Sequence, residues 1–315
     1  MTGYIARRLL SVVPLVLIIS LIVFSLTLVI PGDTARNLAG GLHASQQQVN
    51  TVRQQLGLDK PVLVQYWRWL THALHGNLGL SLYDKSSVSN AIVHRFPITL
   101  SMALGALFVI VLLGVPAGIA AGTHPGGVVD RLVTLGTSAA IAIPDFWLGI
   151  VLVIIFAVKA HLLPSIGYVS LTTSPLEWAR HLLLAWLALG IGGAAPLARQ
   201  LRGSMIDVLD QDYIRTASAK GLSRRSIVFK HALKNAAIAP VTILGIQFAY
   251  LLGGTVILEG IFSIPGLGNY FFNGLENKDL PVIQGVMLVI ALTFILLNLL
   301  VDVLYAYINP KVRLA

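Results

Sequence analysis

Apolar residues fall into six long runs, Leu9 to Ile30, Ile98 to Gly122, Leu132 to Val158, His181 to Leu201, Ala236 to Leu258 and Val282 to Ile308, separated by polar or turn-forming residues. A helix needs about 20 mostly apolar residues to cross the hydrocarbon core of a bilayer, and every run meets that length. The pattern predicts an all-α integral membrane protein with about six transmembrane helices. The first run follows Arg7 and Arg8 and is too long for the apolar core of a signal peptide. No small-residue cleavage pattern follows it, so it reads as a retained helix ended by the turn Pro31-Gly32-Asp33.

Between the first two runs the chain takes on the punctuation of a small soluble module. Ser45 can cap a helix whose Val49, Val52 and Leu56 share a face and which Gly57 closes. Pro61 suits the first turn of a second helix, with Leu63, Tyr66, Trp67, Leu70 and Leu74 on its apolar side and Gly76 beyond it. A third is expected from near Ser86, carrying Val88, Ile92 and Phe96. Three amphipathic helices suggest a cap lying against the membrane, with Trp67 and Trp69 either at headgroup depth or forming the cap's own core. The organisation is then 1–30 for the N-terminus and first helix, 31–97 for an extracytoplasmic helical cap, and 98–315 for a transmembrane core.

Composition agrees with a membrane class. The chain has 315 residues, 56% hydrophobic and 11% charged, with mean hydropathy +0.81, whereas soluble domains carry about a quarter charged residues. The net charge of +9 reads as a topological signal rather than a nucleic-acid footprint. An even number of spans puts both termini on one side. Making that side cytoplasmic places the dense run Arg215, Lys220, Arg224, Arg225, Lys230 and Lys234 inside, while most cations left outside belong to the long cap, which counts little in orientation. There is no cysteine, which excludes disulfides, thiolate metal sites and cysteine catalysis together.

The polar stretch from Gln211 to Arg225 stands alone among the apolar runs of the second half. Ile206, Leu209, Tyr213 and Ala217 recur at helical spacing, Gly221 sits where a helix ends in positive φ, and Ser223 can cap a second helix. Two short helices around a glycine suit insertion into a groove on a soluble partner, and a solvated connecting loop is the plainer reading.

From Asp212 the chain reads Asp-Tyr-Ile-Arg-Thr-Ala-Ser-Ala-Lys-Gly-Leu-Ser, followed by His231-Ala232-Leu233-Lys234-Asn235-Ala236 and Pro240. This resembles the coupling loop of ATP-binding-cassette importer permeases, in the form found in the B-type permease subunit of dipeptide and oligopeptide transporters. Other segments agree in order and spacing: Tyr4 to Leu10, Pro31-Gly32-Asp33, Leu56-Gly57-Leu58-Asp59, Gly79-Leu80-Ser81, Ile143 to Gly149, Glu259-Gly260-Ile261-Phe262, Pro265-Gly266-Leu267-Gly268 and Asn309 to Arg313. The resemblance covers nearly the whole chain.

It implies a type I importer fold and half of a transmembrane pathway for peptides in a bacterial inner membrane. The expected partners are a second, C-type permease, two cytoplasmic ATPase subunits and an extracytoplasmic solute-binding protein, with no cofactor. It also implies an ATPase-coupling loop at about 202–235, carried by Asp212, Tyr213, Arg215, Thr216, Ala217, Lys220, Gly221, Leu222, Ser223 and Arg224. Arg215 stands where the general motif has glutamate, as is usual in the peptide-transporter branch. Glu259, Phe262, Pro265 and Gly266 match a region near the outer gate and the binding-protein contact, and an ordinary turn is the other reading of them. Relatives that import nickel complexes, haem or glutathione keep the solute open, and a non-conducting scaffold or receptor is the alternative of a different class.

The chemistry of the remaining polar residues is sparse. No Gly-x-x-x-x-Gly-Lys-Ser/Thr stretch is present, so ATP is expected to be hydrolysed by partners. The histidines, His43, His72, His75 and His94 in the cap among them, form no metal-ligand motif. Gly190 to Gly193 follows no strand and reads as helix packing, and Ser204 has no nucleophile-elbow context. Asp145, directly after Pro144 and near the middle of the third run, must face protein or water. With Phe146, Gln247 and Asn298 it is a candidate for the translocation pathway, where its charge would favour a peptide amino terminus. Satisfying backbone freed by Pro144 is its plainer role, and Asp302 near the cytoplasmic interface reads as structural.

Overall fold

The computed structural model describes residues 2–29, 35–36 and 44–308. The turn Pro31-Gly32-Asp33, His43, the segment Asn309 to Arg313 and the side chains of Arg7, Val52, Leu56 and Asp302 lie outside the described residues. Helix α1 covers Thr2–Val29, α2 Gln46–Leu56 and α3 Val62–Leu74. The long α4 covers Val88–Gly122, α5 Val128–Ala142 and α6 Asp145–Leu152, which continues as a π-helical stretch over Val153–Lys159. Helix α7 covers Pro175–Leu209 and α8 Asp212–Ala219. Helix α9 starts as Arg224–Ser226, widens into a π-helix over Ile227–Ala232 and closes as Leu233–Ala236. Then come α10 over Ile238–Ile261, α11 over Leu267–Glu276 and α12 over Leu280–Ile308. The fold is all-helical.

One expectation is corrected and one is refined. The third cap helix is not separate: Ser87 caps a single helix that runs through Pro97 into the second span, so the boundary at 97 falls inside α4. The third apolar run is broken near its middle. Among the described residues five helices are long and apolar enough to cross a bilayer, or six if the pair α5 and α6, bent by 99°, counts as one span. The cause is local: Pro144 has no N–H to continue the ladder, and it pushes Ile143 into extended backbone at φ −89° and ψ 122°. Asp145 therefore opens α6, directly after the break in the middle of the run.

Glycine spacing sets the closest helix approach. On α4, Gly114, Gly118 and Gly122 lie four residues apart. A Cβ on Gly114 or Gly118 would stand 2.9 Å from the carbonyl oxygen of Ala194 or Ala198 on α7, and one on Gly122 3.0 Å from that of Arg202. Small residues thus let two 35-residue helices meet backbone to backbone, where dispersion rather than hydrophobic transfer drives association in lipid. Met102, Ile110, Leu182, Leu189, Leu258 and Phe262 fill the buried space beside this seam. Phe108, Leu112, Ile18 and Ile22 remain exposed along the spans, as a surface meant for lipid or a partner helix requires.

In the cap, Ser45 and Gln48 form a reciprocal capping box and Gly57 closes α2 in the left-handed region. Tyr66 and Leu70 of α3 bury themselves against Phe24 at the end of α1, and the Tyr66 hydroxyl meets Ser20 Oγ at 2.8 Å. Leu63, Leu74 and Trp67 stay exposed, whereas Trp69 is partly buried near the Phe24 ring. Trp69 thus joins the packing of the cap against α1, and Trp67 does not. The cap, the start of α4 and the start of α12 share one end of the bundle. The ends of α4 and α7, the polar loop and the first turns of α1 share the other.

Candidate coupling loop and translocation face

The polar loop folds as two capped helices joined by an elbow. Lys220 ends α8, and Gly221 follows at φ +76°. The Gly221 N–H donates to the Ser218 carbonyl at 3.0 Å and the Leu222 N–H to the Ala217 carbonyl at 3.3 Å. These paired bonds are the Schellman closure, which needs a residue that tolerates the left-handed region. Ser223 then accepts the Ser226 N–H at 3.4 Å and starts α9.

Beneath the elbow, Ile214 and Ala217 join Leu201, Met205, Ile227, Val228, Ala232 and Ala236 in one buried cluster. Tyr213 was expected on that face but is 44% exposed, its hydroxyl accepting from Asn235 Nδ2 at 2.9 Å. Helix α7 stops at Leu209 and Gln211 is extended, so the helical phase resets and Ile214 takes the buried position. Asp212, Arg215, Thr216, Lys220, Leu222, Ser223 and Arg224 are all exposed. Arg215 pairs with Asp210 at 2.9 Å and approaches Asp212 at 3.6 Å. A cleft of about 420 Å³ opens between the two helices, lined by Thr123, Leu209, Ile214, Ser218, Leu222 and Arg224.

Two connections tie this loop to the spans, and neither has a local sequence signal. Arg224 Nη2 donates to the Thr123 carbonyl at 2.9 Å and lies 3.3 Å from His124 Nε2, satisfying the C-terminal end of α4. Buried Asp130, in the first turn of α5, accepts from Arg202 Nη2 on α7 at 2.7 Å and from the Gly126 N–H at 2.8 Å, and also pairs with Arg202 Nε. Removing one partner leaves the other's charge poorly solvated. Because the Arg202 side chain is 34% exposed, Asp130→Ala is expected to lower stability by less than breaking a fully buried pair would. Chemical unfolding should show the double variant Asp130→Ala/Arg202→Ala losing less than the two single losses combined.

Asp145 and Gln247 converge on α7. A Cβ on Gly192 would lie 2.5 Å from Asp145 Oδ1, and Gln247 Nε2 donates to the Gly193 carbonyl at 3.2 Å. Asp145, Phe146 and Trp147 are exposed at the start of α6, and no side-chain cap bond forms there. The Gly192–Gly193 pair therefore serves as a small-residue floor beneath two polar side chains. Asn298 is not part of this group: it lies on α12 beside Arg8, Ser11 and Phe294.

At the opposite end, Glu259 is fully buried. Its Oε1 accepts from Thr99 Oγ1 at 2.7 Å and its Oε2 from the Asn269 N–H at 3.0 Å, while Thr99 Oγ1 accepts the Leu267 N–H at 2.8 Å. Together they cap α11, whose own N-cap Gly266 offers no side chain. A Cβ on Gly266 would collide with the Glu259 carboxylate. Phe262 and Gly266 are buried as well, which leaves Ser263 and Pro265 as the exposed part of this corner.

The binding-protein-dependent transport system inner membrane component family matches residues 114–314, and the N-terminal component of such systems matches residues 1–103. The glutathione transport system permease protein GsiC of Salmonella paratyphi A is 43% identical over 313 residues, 99% of each chain. Its counterpart in Escherichia coli strain K12 is 42% identical over the same length, again 99% of each chain. In fold, the chain is similar to inward-facing structures of the MetNI methionine ABC transporter. One has a TM-score of 0.56 at 20% identity, covering 70% of this chain and 96% of that one. A second has a TM-score of 0.57 at 21% identity, covering 69% and 96%. The chain belongs to the binding-protein-dependent transport system inner membrane component family and is a permease of an ATP-binding-cassette importer.

Proposed function

We propose that this permease forms half of a pathway that carries short peptides, glutathione among them, into a bacterial cell. The observation that carries the substrate class is the likeness to glutathione permeases along 99% of both chains. The polar face made by Asp145 and Gln247 over Gly192 and Gly193 supports it, because a peptide backbone and amino terminus need acceptors and donors inside a low-dielectric passage. A second, C-type permease supplies the other half, and an extracytoplasmic solute-binding protein delivers the peptide. Two ATPase subunits hydrolyse ATP, one of them docked at the cleft between α8 and α9. The arginine-rich loop end faces the cytoplasm together with both termini.

The test is uptake into proteoliposomes holding the chain and its partners. Labelled glutathione and dipeptides should accumulate only with ATP and only when the Walker lysines of the ATPases are intact. Asp145→Asn should reduce the preference for free-amine over N-acetylated peptides several-fold. An unchanged preference removes Asp145 from solute recognition, and uptake of neither peptide class removes the peptide reading.

A further inference from the structure

At the end of the bundle away from the coupling loop, the hairpin 80–87, the start of α4, helix α11 and the start of α12 enclose a cleft of about 330 Å³. Ser81, Asp84, Arg95, Tyr270, Asn273 and Asp279 line it. The hairpin is bolted in place through one oxygen of Asp279: Ser81 Oγ donates to Oδ2 at 2.5 Å, and the Tyr83 N–H donates to the same atom at 3.3 Å. The other oxygen, Oδ1, has no protein partner although Asp279 is only 2% exposed, and the hydroxyl of Tyr270, a residue 8% exposed, has none either. Buried polar atoms are normally satisfied, so two unsatisfied ones on residues that line one cleft point to a ligand.

The chemistry of the wall narrows the ligand class. Asp84 anchors the hairpin tip by accepting the Ser86 N–H at 2.9 Å through Oδ1. Arg95 is already engaged, with its guanidinium carbon 4.7 Å from the Tyr270 ring centroid and Nη1 donating to the Pro265 carbonyl at 3.4 Å. Burial pushes the Tyr270 hydroxyl up from its ordinary range, and the charges of Asp279 and Asp84 add to this. The phenol therefore stays neutral. Two carboxylates against one guanidinium leave one negative charge along the lining, which a monovalent cation balances. A divalent ion would need six or more oxygens, and no third acid joins these two among the described residues. The volume also far exceeds that of a bare ion, about that of one water.

We propose that this cleft binds a primary alkylammonium group, whose three N–H donors match Asp279 Oδ1, the Asp84 carboxylate and the Tyr270 hydroxyl. The remaining space takes the alkyl stem. Such a group comes from the amino end of a peptide solute or from a lysine on a docked extracytoplasmic protein.

The first test uses the full chain in lipid nanodiscs with n-butylammonium chloride as the probe, at constant ionic strength. The unfolding temperature should rise saturably. Tyr270→Phe and Asp84→Asn, the second at an exposed position, should raise the half-saturating concentration at least tenfold, and tetramethylammonium should have no saturable effect. Equal responses to both ammonium salts, or responses unchanged in the variants, overturn the proposal, and so does saturation by calcium chloride instead. A second test in the reconstituted importer separates the sources. A defect of Asp84→Asn confined to free-amine peptides places the solute's amino group in the cleft. A defect shared with N-acetylated peptides and reproduced by methylating the binding protein's lysines places a partner lysine there, and unchanged uptake of both overturns the proposal. This second test rests on the peptide-importer reading and the first does not, so the two can fail separately.

Discussion

A Gly221→Val permease is expected to reach the membrane at normal abundance and to lose at least nine-tenths of ATP-driven uptake. The substitution meets no steric obstacle, since a Cβ at this position has no heavy atom within 4 Å. Its cost lies in the backbone: φ is +76°, a region that costs an ordinary L-residue about 1–2 kcal/mol and a β-branched one more. The cheapest relief is to unwind the elbow, releasing the Gly221 and Leu222 N–H bonds to Ser218 and Ala217. Helices α8 and α9 would survive, because Ile214, Ala217, Ile227 and Val228 hold them through their own buried cluster. What is lost is the fixed angle between them, and with it, on the docking proposed above, a rigid lever from an ATPase subunit to the ends of α4 and α7. ATPase activity should persist but no longer rise with loaded binding protein. Gly221→Asn, which tolerates the left-handed region, should keep most of the uptake. Normal uptake by the valine variant would show that the elbow transmits nothing.

The parts of this architecture that were legible beforehand are those encoded over short distances. Long apolar runs mark spans because lipid demands internally satisfied backbone. Ser45, Gly57, Gly221 and Ser223 mark helix ends because caps are made by residues within one turn. The misread positions depend on longer-range facts. The Tyr213 spacing pointed inward only if α7 and α8 kept a common phase, which the break at Asp210 and Gln211 destroys. Pro97 stays inside α4, whereas Pro144 breaks the chain by 99°, so a proline alone does not tell which will happen. The Arg202–Asp130 pair joins residues 72 positions apart and the Thr99–Glu259 bond residues 160 apart, and no periodicity registers such partners. In the candidate site, Asp145 and Gln247 share the Gly192–Gly193 floor, while Asn298 has the same amide chemistry on a helix face turned toward α1.

Glu259→Ala should lower stability by about 3 kcal/mol, read as a fall in unfolding temperature of the purified chain. The estimate follows from what its carboxylate holds. Its removal strands the Asn269 N–H at the start of α11 and the Thr99 hydroxyl, each an enclosed donor whose loss of a partner costs about 1–3 kcal/mol. Relief from burying the carboxylate itself offsets part of this, which is why the sum stays near the middle of the range. Glu259→Gln keeps the shape and one carbonyl acceptor but turns an NH₂ group toward a donor, so it should lose about half as much. Thr99→Val removes the middle of the same relay, since that hydroxyl both donates to Glu259 and accepts the Leu267 N–H. Combined with Glu259→Ala it should therefore add less than its separate cost, the signature of one network rather than two contacts. Phe262 and Ile264 pack into the main core from the adjoining turn, so loosening this cap should propagate to the first half of α4 and the end of α10. Full additivity, or an alanine variant as stable as the parent, would mean that α11 is held by its apolar face alone.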